Sequence, residues 1–121
     1  MYPYGSIVIV SDLSDPQGRN PKDRRCVVIT PDSEPRHTTG TIDVVAISWT
    51  YPIPLPADHI PIPYRHPFHP VTGCVSPCVA VCPWNVEVEI SRISLLTGRI
   101  KTPRVPARQM ILIAQALRSL G

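Results

Sequence analysis

Two histidines and three cysteines crowd into the stretch HPFHPVTGCVSPCVAVC, from His66 to Cys82. His66, His69, Cys74 and Cys78 carry the nitrogen and sulfur donors that Zn2+ takes in sets of four. The cysteine spacing argues against that use. Three residues separate each pair of cysteines, whereas a zinc knuckle uses a tighter spacing that turns both sulfurs onto one ion. In an extended strand Cys78 and Cys82 share a face but stand about 13 Å apart, at a rise near 3.3 Å per residue. One ion cannot be held by both. Disulfides belong to oxidising compartments, and the opening MYPYGSIVIVSD lacks the charged start and long apolar run of a secretion signal. The expectation is a cytoplasmic chain with reduced thiols. Cys78 and Cys82 then act as small buried hydrophobes, with His66 and His69 on a proline-rich loop. No metal and no other cofactor is expected.

A different set of residues has chemistry suited to phosphates and bases. The segment DLSDPQGRNPKDRR carries Arg19, Lys22, Arg24 and Arg25 between two apolar runs. Cations clustered on a loop track a phosphate backbone, and unpaired bases stack on nearby aromatics such as Trp49 and Tyr51. The plainer readings stand beside these: a solvated polar loop for the cations, and a lid over the core for Trp49. Trp84, between Pro83 and Asn85, reads as a core or dimer-interface residue.

The elements that must hold these residues are short strands. At 121 residues with net charge +3, the chain fits one domain, residues 1–121, with a hydrophobic core of its own. The charge permits an anionic partner without requiring one. Nine of the 16 prolines fall in the segment from Pro52 to Pro83, and proline's missing N–H and fixed φ favour extended or edge backbone there. SIVIVS (6–11) and CVVIT (26–30) read as strands, and TIDVVAIS (41–48) as a central one because its apolar run is nearly unbroken. HIPIP (59–63) suits an edge, while CVAVC (78–82) and NVEVEI (85–90) read as two further strands. Thr97–Gly98 marks a turn. In PARQMILIAQALRSLG the period becomes helical, with Met110, Ile113, Leu117 and Leu120 on one stripe and Pro106 in the first turn. No apolar stretch is long enough to span a membrane. The expected fold class is mainly β, a small barrel closed by one C-terminal helix.

The order of these pieces resembles the PemK/MazF family of toxin endoribonucleases. The matching residues are Gly5 to Val10, the loop to Arg24, then Arg25-Cys26-Val27-Val28, and Val45-Ala46-Ile47-Ser48. The resemblance implies an SH3-like barrel, a homodimer, cleavage of single-stranded RNA and neutralisation by an antitoxin protein. It also implies catalytic roles for Arg25 and Ser48.

Metal-free RNA cleavage uses the substrate's own 2′-hydroxyl. The protein must help remove that proton, stabilise the five-coordinate phosphorus and see the 5′-oxygen off. A guanidinium offers a fixed cationic fork to phosphate oxygens, but it stays protonated at neutral pH and makes a poor base. Arg25 is therefore expected to act electrostatically, with Ser48 bonding a phosphate oxygen and Arg19, Lys22, Arg24, Trp49 and Tyr51 binding RNA. His37 and His59 are candidate acid–base helpers, although nothing in the sequence sets either beside Arg25. Two other readings remain open: a non-catalytic module of the same fold that binds a protein or nucleic acid, and a zinc-stabilised domain.

Overall fold

The computed structural model describes residues 2–36, 40–96, 98 and 100–121. Six antiparallel strands form one sheet: β1 (Ile7–Leu13), β2 (Lys22–Val28), β3 (Thr41–Ser48), β4 (His59–Ile62), β5 (Cys78–Glu89) and β6 (Ile93–Leu95). The spatial order is β4-β5-β3-β2-β1-β6, and a helix, α1 (Ala107–Leu120), follows. β3 has the bounds its apolar run predicts and lies inside the sheet, buried on both faces. β4 is an edge strand, where Pro61 removes no ladder hydrogen bond that a second neighbour would need.

The buried residues fall into two sets, one for each face. Ile7, Val27, Val45, Ile47 and Ile60 pack with Met110, Ile113 and Ala116 of α1. Val8, Val10, Cys26, Val28, Ile42, Val44, Ala46 and Val88 form the second cluster, which contains no residue of α1. Most of these are 0% exposed. A sheet face without a covering layer reaches such burial only by curling upon itself, as the strand twist of a small barrel does.

Two sequence expectations shift. CVAVC and NVEVEI are one strand, broken only by a register change against β3 between the pairs Val45–Asn85 and Ile47–Ala80. The helical stripe passes through Met110, Ile113 and Ala116, while Leu117 is half-buried and Leu120 is 47% exposed. The last turn of α1 thus runs beyond the surface that the sheet offers. Thr97, of the expected Thr97–Gly98 turn, lies outside the described residues.

Gly5 explains why a glycine precedes the first strand. Its φ is +87°, a region L side chains avoid, and its backbone joins two neighbours at once. Its N–H donates to the Val28 carbonyl at 2.8 Å, and its own carbonyl accepts from Val105 N at 2.8 Å. At the same end of the sheet, where Ile29 N donates to the Asp43 carbonyl, Asp43 of β3 faces Glu87 of β5. Arg36 relieves that like-charge pairing by contacting both carboxylates at 2.7 Å.

Among the described residues no helix is long and apolar enough to cross a membrane.

Candidate nucleic-acid interface

Strand pairing decides where the cations point. Cys26 stands opposite Ala46, and Val27 opposite Val45. Directly paired residues share a face and neighbours in a strand alternate. Arg25 therefore lies on the face of Val27, Val45 and Ile47, and Arg24 on the face of Cys26, Ala46 and Ser48. Lys22, Arg24 and Arg25 belong to β2 itself, which begins four residues before the strand expected at Cys26. The connecting loop shrinks to residues 14–21.

Both faces end at one rim, where β2 begins and β3 stops. A groove of about 1000 Å³ lies there, with Lys22, Arg24, Arg25, Ser48, Trp49 and Trp84 among its lining residues. Arg25 and Ser48, expected to act together, thus border the same solvent-facing space, and each is half-buried. The Arg25 guanidinium carbon sits 5.5 Å from the centre of the Trp49 ring, within cation–π range. Trp49 is 41% exposed. The Ser48 hydroxyl closes a local turn: it donates to the Thr50 carbonyl at 2.6 Å and accepts from Thr50 N at 3.1 Å.

Arg24 occupies the same rim in a different way. Its Nε donates to the Leu13 carbonyl and its Nη2 to the Asn20 carbonyl, each at 2.7 Å. Those bonds staple the β1–β2 loop and spend donors that a phosphate would otherwise take. The guanidinium also lies 5.0 Å from the centre of the Trp84 ring. Trp84 packs partly against the second core cluster, as a core role predicts, yet it also lines the groove. Arg19 is exposed on the loop and Tyr51 is half-buried, and neither is among the groove-lining residues.

Two carboxylates in the groove carry no role in the sequence reading. Asp15 organises the loop: its Oδ1 accepts from Gln17 N at 3.0 Å and Arg19 N at 2.9 Å, and its Oδ2 from Asn20 Nδ2 at 3.1 Å. These donors, the Arg19 amide foremost, hold its pKa below the ordinary carboxylate value of 3.8. A carboxylate depressed in the folded state favours loop order above its ordinary pKa, and that contribution disappears as pH falls through the lowered value. The Gln17 and Arg19 amide NMR signals are therefore expected to shift together with a midpoint below 3.8, and Asp15→Ala should abolish that titration. Asp23, the other groove carboxylate, accepts, among the described residues, one long contact, 3.4 Å, from Asp12 N.

The histidines and cysteines lie apart from this chemistry in different degrees. His69 Nδ1 accepts from Val71 N at 3.1 Å and Thr72 N at 3.3 Å, which makes it a turn cap. His66 is exposed. His59 pairs with Asp58 at 2.8 Å on the edge strand and is not among the groove-lining residues, and His37 lies outside the described residues. Among the described residues no group of three or more metal-binding side chains converges. Cys74 and Cys78 do meet, sharing a hydrogen bond that lowers the Cys74 thiol and raises Cys78, with Arg25 adding a smaller downward pull on both. Burial pushes Cys26 up to about 12 and Cys82 to about 11. All four thiols are free and buried. A thiol reagent at neutral pH should modify the folded protein slowly, at Cys74 first, and all four cysteines promptly after denaturation; rapid labelling of Cys26 or Cys82 in the folded state would contradict this packing.

No protein-family model and no curated protein matches the chain. Solved structures do. The Mycobacterium tuberculosis toxin MazF-mt6 is 18% identical over 94% of this chain and 93% of its own, with a TM-score of 0.66. MazF from Deinococcus radiodurans is 15% identical over 98% and 94%, with a TM-score of 0.69. A MazE–MazF structure from the same organism gives 15% identity over 98% and 93%, with a TM-score of 0.71. The chain therefore has the MazF fold, mainly β with one C-terminal helix.

Proposed function

We propose that the chain is a toxin-like endoribonuclease that cuts single-stranded RNA at selected sequences in the cytoplasm, by attack of the substrate's own 2′-hydroxyl. The observation that carries this reading is the rim groove, where Arg25, Ser48, Lys22 and Trp49 border one space on a fold shared with MazF toxins.

In this reading the O2′–P bond forms and the P–O5′ bond breaks, leaving a 2′,3′-cyclic phosphate and a 5′-hydroxyl. Arg25 offsets the charge that builds on the phosphate oxygens. Ser48 donates to one of them once its hydroxyl turns from the Thr50 carbonyl. Asp23, less engaged by donors than Asp15, takes the 2′-proton, and the departing 5′-oxygen is protonated from solvent beside Arg25. Lys22 adds backbone attraction and Trp49 a stacking surface. These groups suffice without a metal, so cleavage of a long unstructured RNA is expected to persist in EDTA and to give discrete fragments ending in cyclic phosphate.

One observation favours the second reading, binding without cleavage: the Ser48 hydroxyl is already bonded to Thr50 in both directions. RNA retained on the protein with no fragments formed is the result that selects it. The proposed partners are a second copy of the chain and an antitoxin protein. Their support is apolar surface on and beside α1, where Ile111 is 59%, Leu112 42% and Tyr4 39% exposed.

A further inference from the structure

Trp84 owes its position to an irregularity in β5. Between the pairs Val45–Asn85 and Ile47–Ala80, β3 has the single residue Ala46, whereas β5 has residues 81–84. The surplus bulges, and Asn85 Nδ2 donates to the Cys82 carbonyl across it at 2.8 Å. Bulges bend a strand and re-aim its side chains. This one carries Pro83 and turns Trp84 toward the rim groove instead of leaving it wholly in the core.

Arg24 then lies over the ring at 5.0 Å, fixed from behind by its two bonds to backbone carbonyls. Arg24 is thus a brace, and the pair is assembled before any ligand arrives. On the other face of β2, Arg25 lies over Trp49 at 5.5 Å. Two arginine-capped indoles flank one groove of about 1000 Å³, at the upper end of what a single small ligand occupies. Indole and guanidinium planes are the surfaces on which unpaired bases stack, with little regard to base identity.

We propose that Trp84, braced by Arg24, is a second base-stacking platform, so that the groove seats two unpaired bases, one at each tryptophan. This rests on the reading of the groove as an RNA site and adds to it a residue, a contact and a count of bases held. Arg24 is then a positioning residue whose loss loosens Trp84.

The test uses a short 2′-O-methyl RNA containing all four bases, which binds but lacks the attacking hydroxyl. In the full-length Trp49→Phe variant the remaining indole fluorescence reports Trp84, and in Trp84→Phe it reports Trp49. Saturating oligonucleotide is expected to quench both. Trp84→Leu should weaken binding about 5- to 100-fold, while Trp84→Phe, still aromatic, should keep most of the affinity. Quenching at Trp49 with none at Trp84 overturns the second platform and leaves the RNA site standing. Unchanged affinity in a folded Trp84→Leu protein overturns it as well. Absence of binding and of quenching at either indole removes the RNA site itself and this inference with it.

Discussion

Arg25→Ala is expected to slow cleavage of an unstructured RNA by about 10²- to 10³-fold while the fold survives. The magnitude follows from the task assigned to the side chain. A phosphate passing through a five-coordinate state gathers negative charge on its equatorial oxygens, and a fixed guanidinium beside them stabilises that charge more than the ground state. The fold survives because Arg25, midway along β2, is half-buried and makes one aromatic contact, with Trp49; losing such a contact costs about 0.5–1 kcal/mol. Arg25→Lys should restore part of the rate, since it keeps the charge and loses the two-pronged geometry. Side-by-side gels of wild type, Arg25→Ala and Arg25→Lys in EDTA check this. Equal cutting by all three would point to a contaminating nuclease or to chemistry that bypasses Arg25.

How far this site was legible in the sequence differs residue by residue. Arg25 and Ser48 come from the order of short motifs, and both border the groove. Their opposite faces were not legible, because facing depends on where β2 begins. Polar Lys22 and Asp23 disguise that start as loop. Arg24 and Arg25 look equivalent in a string of cations, yet one is fastened to Leu13 and Asn20 while the other caps Trp49. Partners 11 residues away in chain, such as Leu13 for Arg24, leave no local pattern. Trp84 was hidden for the same reason: its direction is set by a bulge against β3, and PWN reads locally as a break between strands. The fold was easier. Alternation and unbroken apolar runs report burial directly, so β3 appears with its full bounds, whereas the three residues of β6 are too few to show a period.

Ile113→Ala is expected to cost about 2–5 kcal/mol of stability, a large part of the roughly 5–15 kcal/mol that holds a domain folded. Ile113 is 0% exposed at the centre of the α1 face and belongs to the cluster containing Val27, Val45 and Ile47. Truncation there leaves a void that neighbours on both the helix and the sheet must collapse to fill. The thermal midpoint should fall by on the order of 10 °C. Leu120→Ala is the contrasting variant. Periodicity sets Leu120 on the same stripe, but it is 47% exposed, and its truncation should stay within about 0.5 kcal/mol. Calorimetry or denaturant titration separates the two. The consequence reaches the site, since Val27 lies two residues after Arg25 and Ile47 immediately precedes Ser48. A softened cluster beneath them should therefore lower cleavage before the chain unfolds. Comparable losses at both positions would mean that α1 does not dock on the sheet through Ile113, and the support beneath β2 and β3 would have to come from elsewhere.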